Sequence, residues 1–317
     1  MWGMGKASRT KQDVDRRARI AAQREKERRA AQLRRIYWAG GSILAVAIIV
    51  VAIVLVKVNS GPPAAAAAPT GAALTAVTKQ IEDIPSSVTD KVGAGGVDTA
   101  ELVQGHSSSQ ISTAAANGNY FATVGSTTPL TSGGKPELLF IGGEYCPYCA
   151  AERWAMVNAL SRFGTFGSLP TTHSSSTDVD PNTPTFDFYK VKYTSQYLNF
   201  TPVEAFGATS TTTLQTPTAA EQAVDQAYNP QGAIPFLDFG NQYVEVGNLA
   251  PLTPTMLDGK TYQQIASSMA NPASNSVGAA EDANANYITA AICKMTNNQP
   301  STACTPAIQT LQQSFAS

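Results

Sequence analysis

The sequence predicts an α/β fold with a helical insertion and extension, preceded by a single transmembrane helix. A short apolar run, Glu137 to Ile141, is separated by two glycines from a helical pattern, with Cys146 and Cys149 at the junction. A second strand pattern follows Pro235 and continues into a hairpin turn. An uncharged stretch from Ile36 to Val56 is long enough to span a membrane.

The amino-terminal part divides into three non-globular segments. Residues 1–35 contain twelve Lys/Arg against four Asp/Glu and are predicted to be a cytoplasmic tail that follows the positive-inside rule. Contact with anionic lipid or nucleic acid is the alternative. Residues 36–57 are the predicted transmembrane helix. Residues 58–72 form a Pro/Ala linker, which leaves 73–317 as the globular domain.

A cleaved signal peptide is the rival interpretation of the apolar segment, because Ala64 to Ala68 offers small residues for a cleavage site. The apolar region is too long and the preceding tail too large for that interpretation. We therefore expect a single-pass protein of the cell membrane, in contact with the lipid bilayer, with its amino terminus in the cytoplasm and residues 73–317 extracytoplasmic.

Charge and cysteine usage describe the globular part. From Asn59 onward there are nine Lys/Arg against nineteen Asp/Glu, which argues against nucleic-acid binding there. All four cysteines lie at or after Cys146 and form two pairs along the chain. An even count outside the predicted cytoplasmic part fits an oxidising compartment.

The remaining elements are predicted in chain order from periodicity and from turn residues. Before the cysteines we expect a helix over Ala73–Val92 that is interrupted at Pro85, and a strand over Tyr120–Val124. The low-complexity segment Ser168–Thr185 is expected to be a surface loop. The elements expected after it are a strand Phe186–Tyr193, a helix Thr218–Tyr228, a strand Tyr243–Val246 paired across Gly240-Asn241, a helical region Pro251–Asn286 broken at Pro254, Pro272 and Gly278, and a helix Tyr287–Met295.

The segment Cys146-Pro147-Tyr148-Cys149 carries the predicted chemistry. Pro147 suits a first helical turn, the apolar face runs through Ala150, Trp154, Val157 and Leu160, and Gly164 suits the C′ position. Cys146 then lies at a helix N-terminus, where unpaired N–H groups favour a thiolate. Cys146 is the candidate nucleophile, and Cys149 can resolve a mixed disulfide.

These residues resemble the thioredoxin superfamily, and the Pro-Tyr dipeptide resembles the glutaredoxin form of its active site. The family also carries a cis-proline that faces the dithiol, and Ile234-Pro235 before an apolar strand matches it. The resemblance implies a thioredoxin-like fold, with an insertion as in larger periplasmic disulfide oxidoreductases. The whole arrangement also resembles an uncharacterised family of membrane-anchored, thioredoxin-like prokaryotic proteins. CxxC alone could instead be half of a zinc site.

The resemblance implies further roles. Pro235 would shape the substrate groove, with Ile234, Tyr145 and Tyr148 beside it; the alternative for the two tyrosines is aromatic packing on the helix. Relatives usually carry a buried acid six residues before the first cysteine, where this chain has Phe140. Glu144 is then the nearest carboxylate in sequence, and we expect it at the loop surface.

Cys293 and Cys304 enclose ten residues, and a disulfide between them would stabilise the fold by roughly 2–3 kcal/mol. We favour this structural role over a second redox pair, because the wide spacing lacks the strand-to-helix setting that activates a thiol.

The leading hypothesis is a membrane-anchored extracytoplasmic thiol–disulfide oxidoreductase that needs no cofactor. Its partners would be protein thiols and disulfides, with a membrane or soluble redox partner. The alternatives are a non-catalytic thioredoxin-like subunit or assembly factor, and a copper-handling protein in which His173 joins the two cysteines. No metal site is predicted; His106, in a Ser-rich stretch, is expected to be a solvated side chain.

Overall fold

The apolar run before the cysteine pair forms the central strand of the fold, Lys135–Gly143. Leu138 and Phe140 point into one apolar cluster, whereas Leu139 and Ile141 point into a second cluster on the opposite face. Side chains alternate between the faces of a strand, so this strand is buried on both sides. The predicted strand Glu137–Ile141 is confirmed.

The computed structural model describes residues 64–97, 101–103, 119–124, 128–274 and 276–316. The helices are α1 (Gly71–Glu82), α2 (Ser86–Val92), α3 (Pro147–Ser161), α4 (Ala219–Tyr228), α5 (Tyr262–Ala270), α6 (Val277–Met295) and α7 (Pro306–Ala316). The strands are β1 (Leu102–Val103), β2 (Tyr120–Thr123), β3 (Thr131–Ser132), β4 (Lys135–Gly143), β5 (Gly164–Phe166), β6 (Thr171–His173), β7 (Pro184–Phe186), β8 (Tyr193–Ser195), β9 (Asn199–Phe206), β10 (Phe236–Phe239) and β11 (Tyr243–Val246).

The predicted tail 1–35, the predicted span 36–57, the first linker residues and His106 lie outside the described residues. Among the residues that are described, no helix is both long enough and apolar enough to cross a membrane.

The central sheet is mixed. Strand β4 pairs in parallel with β9 and antiparallel with β10, and β10 continues antiparallel into β11 and then β2. The crossover from β4 to β9 contains α3 and two small antiparallel sheets, β5–β8 and β6–β7. The α/β class and the hairpin across Gly240-Asn241 are therefore confirmed, and both turn residues have positive φ, 66° and 57°.

Helices cover both faces of this sheet. On one face α3 packs along α6, with α5, α7 and the amino-terminal helices around them. On the other face Val224 and Tyr228 of α4 contact the smaller apolar cluster. Helix α4 begins with a capping box formed by Thr218 and Glu221, which explains why the predicted helix starts there.

Helix α3 is buried on nearly every side. All of its residues from Cys149 to Leu160 are buried, including Glu152, Arg153 and Asn158. Most buried polar groups in proteins have a hydrogen-bond partner. Asn158 donates to Asp282 of α6 at 2.8 Å, and Asn248 donates to Glu152 at 2.7 Å.

A cluster of acidic side chains lies in the same core. Glu152 of α3, Glu245 of β11 and Glu281 of α6 have no exposed surface. Within the described residues, neither carboxyl oxygen of Glu245 or of Glu281 has a hydrogen-bond partner. Burial raises the pKa of Glu152 to about 7. Burial, together with the charge of Glu152, raises the pKa of Glu245 and of Glu281 well above the usual range.

The structure corrects two predictions about the segment after α3. Ser168–Thr185 is not simply a surface loop, because it contains the β6–β7 hairpin, whose main chain packs against α3. The Trp154 indole N–H donates to the Pro184 carbonyl at 2.8 Å, and the Thr185 hydroxyl donates to the Ala150 carbonyl at 2.7 Å. Gly164 is not a helix C′ residue, because the helix ends at Ser161 and Gly164 begins β5.

Two further element boundaries are also wrong. The predicted strand Phe186–Tyr193 is split between β7 and β8, because Asp187 accepts the N–H of Tyr189 and Lys190 takes a φ of 56°, which turns the chain. Gly278 does not break the carboxy-terminal helical region but lies in the first turn of α6. A Cβ there would collide with the backbone of Ser268, so glycine lets α5 and α6 approach closely.

Cys293 and Cys304 form a disulfide with a Cα–Cα distance of 5.7 Å. Both residues are buried, Cys293 at the end of α6 and Cys304 just before α7. The disulfide therefore joins the end of α6 to the segment that leads into α7.

We expect the Cys293→Ala/Cys304→Ala variant to lose about 2–3 kcal/mol of unfolding free energy, because the cross-link restricts the unfolded chain. Urea unfolding of the full chain measures this loss. A variant of unchanged stability that loses thiol exchange at Cys146 would contradict the structural role and support a second redox pair that passes electrons to Cys146 and Cys149.

We expect the melting temperature to fall as pH rises from about 4.5 to 8. The folded-state pKa values of Glu152, Glu245 and Glu281 are raised, so their contribution to stability is complete below the unfolded pKa and is lost as they are forced to ionise. Each raised unit corresponds to about 1.4 kcal/mol. Glu245→Met should stabilise the chain more at pH 8 than at pH 4.5; equal effects at both pH values would count against this explanation.

Candidate active site

Cys146 lies where β4 hands over to α3. It is the N-cap of the helix, with extended backbone angles (φ −77°, ψ 121°), and Pro147 is the first helical residue. The Cys146 sulfur accepts the backbone N–H of Cys149 at 3.2 Å. The predicted position of Cys146 at a helix N-terminus is confirmed.

Pro235 lies beside this cysteine. The Ile234–Pro235 peptide bond is cis, and the Cys146 thiol donates to the Ile234 carbonyl across 3.6 Å. Pro235 directly precedes β10, which is the antiparallel neighbour of β4. The sheet thus brings together two segments that are about ninety residues apart in the sequence.

The two thiols differ in acidity and in exposure. A hydrogen bond with Cys149, aided by backbone N–H groups and by Arg153, lowers the pKa of Cys146 despite its burial. Burial, followed by the hydrogen bond with Cys146, raises the pKa of Cys149 well above the usual range. Cys146 is 5% exposed and Cys149 is fully buried, and both are free thiols. This asymmetry suits an attacking and a resolving thiol.

The predicted groove residues lie around Cys146. Tyr145 is half-buried, with its ring edge-on to Phe206 at 5.9 Å between centroids. Tyr148 is 38% exposed, and Ile234 is partly buried. The Tyr145 ring therefore packs against β9 and not against the helix, and its predicted contact with substrate stays a prediction, whereas Tyr148 is exposed.

Asn248 binds the first turns of α3 through two hydrogen bonds. Its amide nitrogen donates to the Tyr148 carbonyl at 3.0 Å and to Glu152 at 2.7 Å, and the residue is fully buried. Asn248 follows β11, so its hydrogen bonds connect the open end of the β10–β11 hairpin to the turn that carries the cysteines.

Glu144, the nearest carboxylate in sequence, is half-buried and not at the loop surface as expected, and burial raises its pKa. The carboxylate whose charge reaches Cys149 is instead Glu204 of β9, which is paired with Arg153 of α3. Phe140 contributes an aromatic face to the guanidinium, 5.7 Å from the ring centroid.

His173 lies in β6, with its ring edge-on to Tyr262 at 5.6 Å. In the described part of the chain, no group of three His, Cys, Asp or Glu residues is arranged to hold a metal ion.

Sequence reasoning missed Arg153, Glu204 and Asn248. The available signal was the Glu152-Arg153 pair inside an otherwise apolar helical pattern, because charges within a buried helix require internal partners. The identity of those partners follows from strand pairing and not from spacing: Glu204 is aligned with Gly142 in the β4–β9 ladder.

Comparison with known proteins gives one family. A protein-family model described as a domain of unknown function (DUF929) matches residues 120–231. This segment runs from β2 through the cysteine pair to just beyond the end of α4. Over that segment the chain is similar to an uncharacterised family. Neither a curated protein nor a solved structure matches the chain.

In the reduced chain we expect iodoacetamide to modify Cys146 before Cys149, with a rate midpoint below the usual thiol pKa of about 8.5. Mass mapping after timed alkylation across a pH series measures this order. Cys149→Ala and Cys149→Ser are a matched pair, because only serine keeps a side-chain hydrogen-bond donor. Cys146 should be less acidic in the alanine variant; earlier modification of Cys149 in the wild type would contradict the assignment.

Proposed function

We propose that this protein is a thiol–disulfide oxidoreductase with a thioredoxin-like fold, acting through Cys146 and Cys149 on protein thiols and disulfides. The observation that carries the proposal is the contact between the Cys146 thiol, at the N-terminus of α3, and the carbonyl that precedes cis-Pro235. A CxxC pair alone is a weak signal. A dithiol and a cis-proline that meet at the adjoining ends of two paired strands, β4 and β10, form a more specific arrangement.

The chemistry takes two balanced steps. The Cys146 thiolate attacks a substrate disulfide, which forms a Cys146–substrate disulfide and releases the other substrate sulfur as a thiolate. Cys149 then attacks Cys146, the mixed disulfide breaks, and the Cys149 proton passes to the departing substrate sulfur. The pair ends oxidised and the substrate reduced; run backwards, the same steps donate a disulfide. No cofactor is required.

The proposed setting is extracytoplasmic and membrane-anchored. The uncharged stretch from Ile36 to Val56 and the basic residues before it support this, as does the buried Cys293–Cys304 disulfide. Tyr145, Tyr148 and Ile234 would contact the substrate, and a membrane or soluble redox partner would restore the dithiol.

A non-catalytic thioredoxin-like subunit is the second candidate, and one observation favours it. Cys146 is only 5% exposed, and such burial favours a cysteine pair that takes no part in exchange. In that function the Cys146–Cys149 pair would be a fixed structural element.

We expect Cys146→Ser to abolish exchange with glutathione-linked disulfides, because the attacking sulfur is lost, and Cys149→Ser to accumulate the mixed disulfide, because resolution is lost. Equilibration of the full chain in glutathione buffers, followed by alkylation and mass mapping, measures both. The Cys293→Ala/Cys304→Ala variant is the control that should still exchange.

The same equilibration gives the potential of the Cys146–Cys149 pair. A value near about −120 mV identifies a disulfide donor, and one near about −270 mV a reductase. A wild-type pair that does not exchange at all would reject the enzyme and leave the structural subunit.

A further inference from the structure

An ion pair is enclosed beneath the cysteine turn. Arg153 of α3 donates from Nε to one oxygen of Glu204 at 2.9 Å and from a terminal nitrogen to the other oxygen at 2.8 Å. Neither side chain has exposed surface. Enclosing two charges in this way is costly, and well-packed apolar residues often stabilise a fold equally well. The surroundings of the pair therefore matter more than its contribution to stability.

The pair is joined to the loop that carries Cys146. The terminal nitrogen of Arg153 that donates to Glu204 also donates to the Gly143 carbonyl at 3.0 Å. That carbonyl accepts the backbone N–H of Cys146 at 3.2 Å. One acceptor thus connects the guanidinium to the main chain of the nucleophile.

Arg153 is also a neighbour of the second cysteine. It follows Cys149 by four residues on α3, and side chains with that spacing lie next to each other on one face of a helix. The rings of Phe140 and Phe188 lie 5.7 and 5.9 Å from the guanidinium carbon. Water therefore screens the charge poorly, and the charge acts strongly on nearby groups.

The two charges act unequally on the two thiols. Burial raises the pKa of both cysteines, and the positive charge of Arg153 opposes this effect at each of them. The pKa of Cys149 is nevertheless raised overall, because burial dominates there. The negative charge of Glu204 raises the pKa of Cys149. Among the described residues, other titratable groups near this region include Glu144, whose pKa responds to both members of the pair, and Tyr145, whose pKa responds to both cysteines. The charge of Asp187 acts on Glu144, and that of Asp178 acts on Tyr145.

We propose that Arg153 and Glu204 are positioning residues for exchange: Arg153 holds the Cys146 loop and supplies the positive charge against which a thiolate forms, while Glu204 fixes Arg153 and limits that charge at Cys149. The inference rests on the proposed function of the cysteine pair. In the resolving step a Cys149–Cys146 bond forms, the Cys146–substrate bond breaks, and the proton goes to the departing sulfur. Arg153 stabilises the Cys149 thiolate through which this step passes.

Two single variants should act in opposite directions. Arg153→Met removes the positive charge, so the alkylation rate of Cys146 at pH 7 should fall about tenfold, the equivalent of one pKa unit. Glu204→Gln keeps an oxygen for Arg153 but removes the negative charge, so Cys149 should ionise at lower pH and the mixed disulfide should resolve faster. Alkylation across pH with mass mapping, on the full chain, measures both, and circular dichroism monitors the fold.

Arg162→Met is the matched control. It removes a second cation, the C-cap residue of the same helix, which contacts Asn158 and Asn286 and not the cysteine turn. Its cysteines should titrate as in the wild type. Equal changes of the cysteine pKa values in the control and in Arg153→Met would overturn the proposal. So would a change of the Cys149 pKa in the same direction in Arg153→Met and in Glu204→Gln.

Breaking an enclosed ion pair by removing one partner can prevent folding. The Arg153→Met/Glu204→Met double variant removes both charges and keeps an apolar core, and Cys146 in it should still alkylate about tenfold more slowly at pH 7. An unchanged rate in a folded double variant overturns the proposal. If the wild type exchanges with glutathione and the variants match it, only this inference fails; if the wild type does not exchange, the proposed function fails with it.

Discussion

The enclosure of α3 by its neighbours is the constraint on which the structure depends. Ordinary surface helices bury one stripe, but α3 lies between the sheet, α6 and the β6–β7 hairpin. Each polar group on it must therefore be matched by another element. Glu152, Arg153 and Asn158 are each matched by a different one, which ties the helix to the segment after β11, to β9 and to α6.

The same constraint determines the environment of the cysteines. Because the helix begins inside the protein, Cys149 lies in its core and Cys146 at its rim. The pKa values of two thiols one helical turn apart are separated, since the hydrogen bond with Cys149 and backbone N–H groups lower the pKa of Cys146, whereas complete burial raises that of Cys149. Two chemically identical side chains thus acquire different acidities from their different burial, hydrogen bonds and neighbouring charges.

The sequence predicted the elements whose signals are local. The apolar run of β4, the helix after Pro147 and the turn at Gly240-Asn241 are each visible within a few residues, and the structure contains all three. The prediction of a surface loop at Ser168–Thr185 is wrong because the fold brings α3 to it: the Thr185 hydroxyl donates to the Ala150 carbonyl, and the Trp154 indole N–H donates to the Pro184 carbonyl. Glu204 could not be found at all, since nothing near it in the chain indicates that strand pairing will place it beside Arg153.

The hydrogen bond from the Cys146 thiol to the Ile234 carbonyl makes the availability of that carbonyl depend on the charge of the Cys146 sulfur. A thiol can donate this bond and a thiolate cannot. In the proposed function, loss of the proton creates the nucleophile and, in the same event, frees the carbonyl beside Pro235 to accept a different donor. An extended polypeptide carries such donors in its own N–H groups, so a protein substrate of the proposed exchange would find the carbonyl free when the sulfur is ionised.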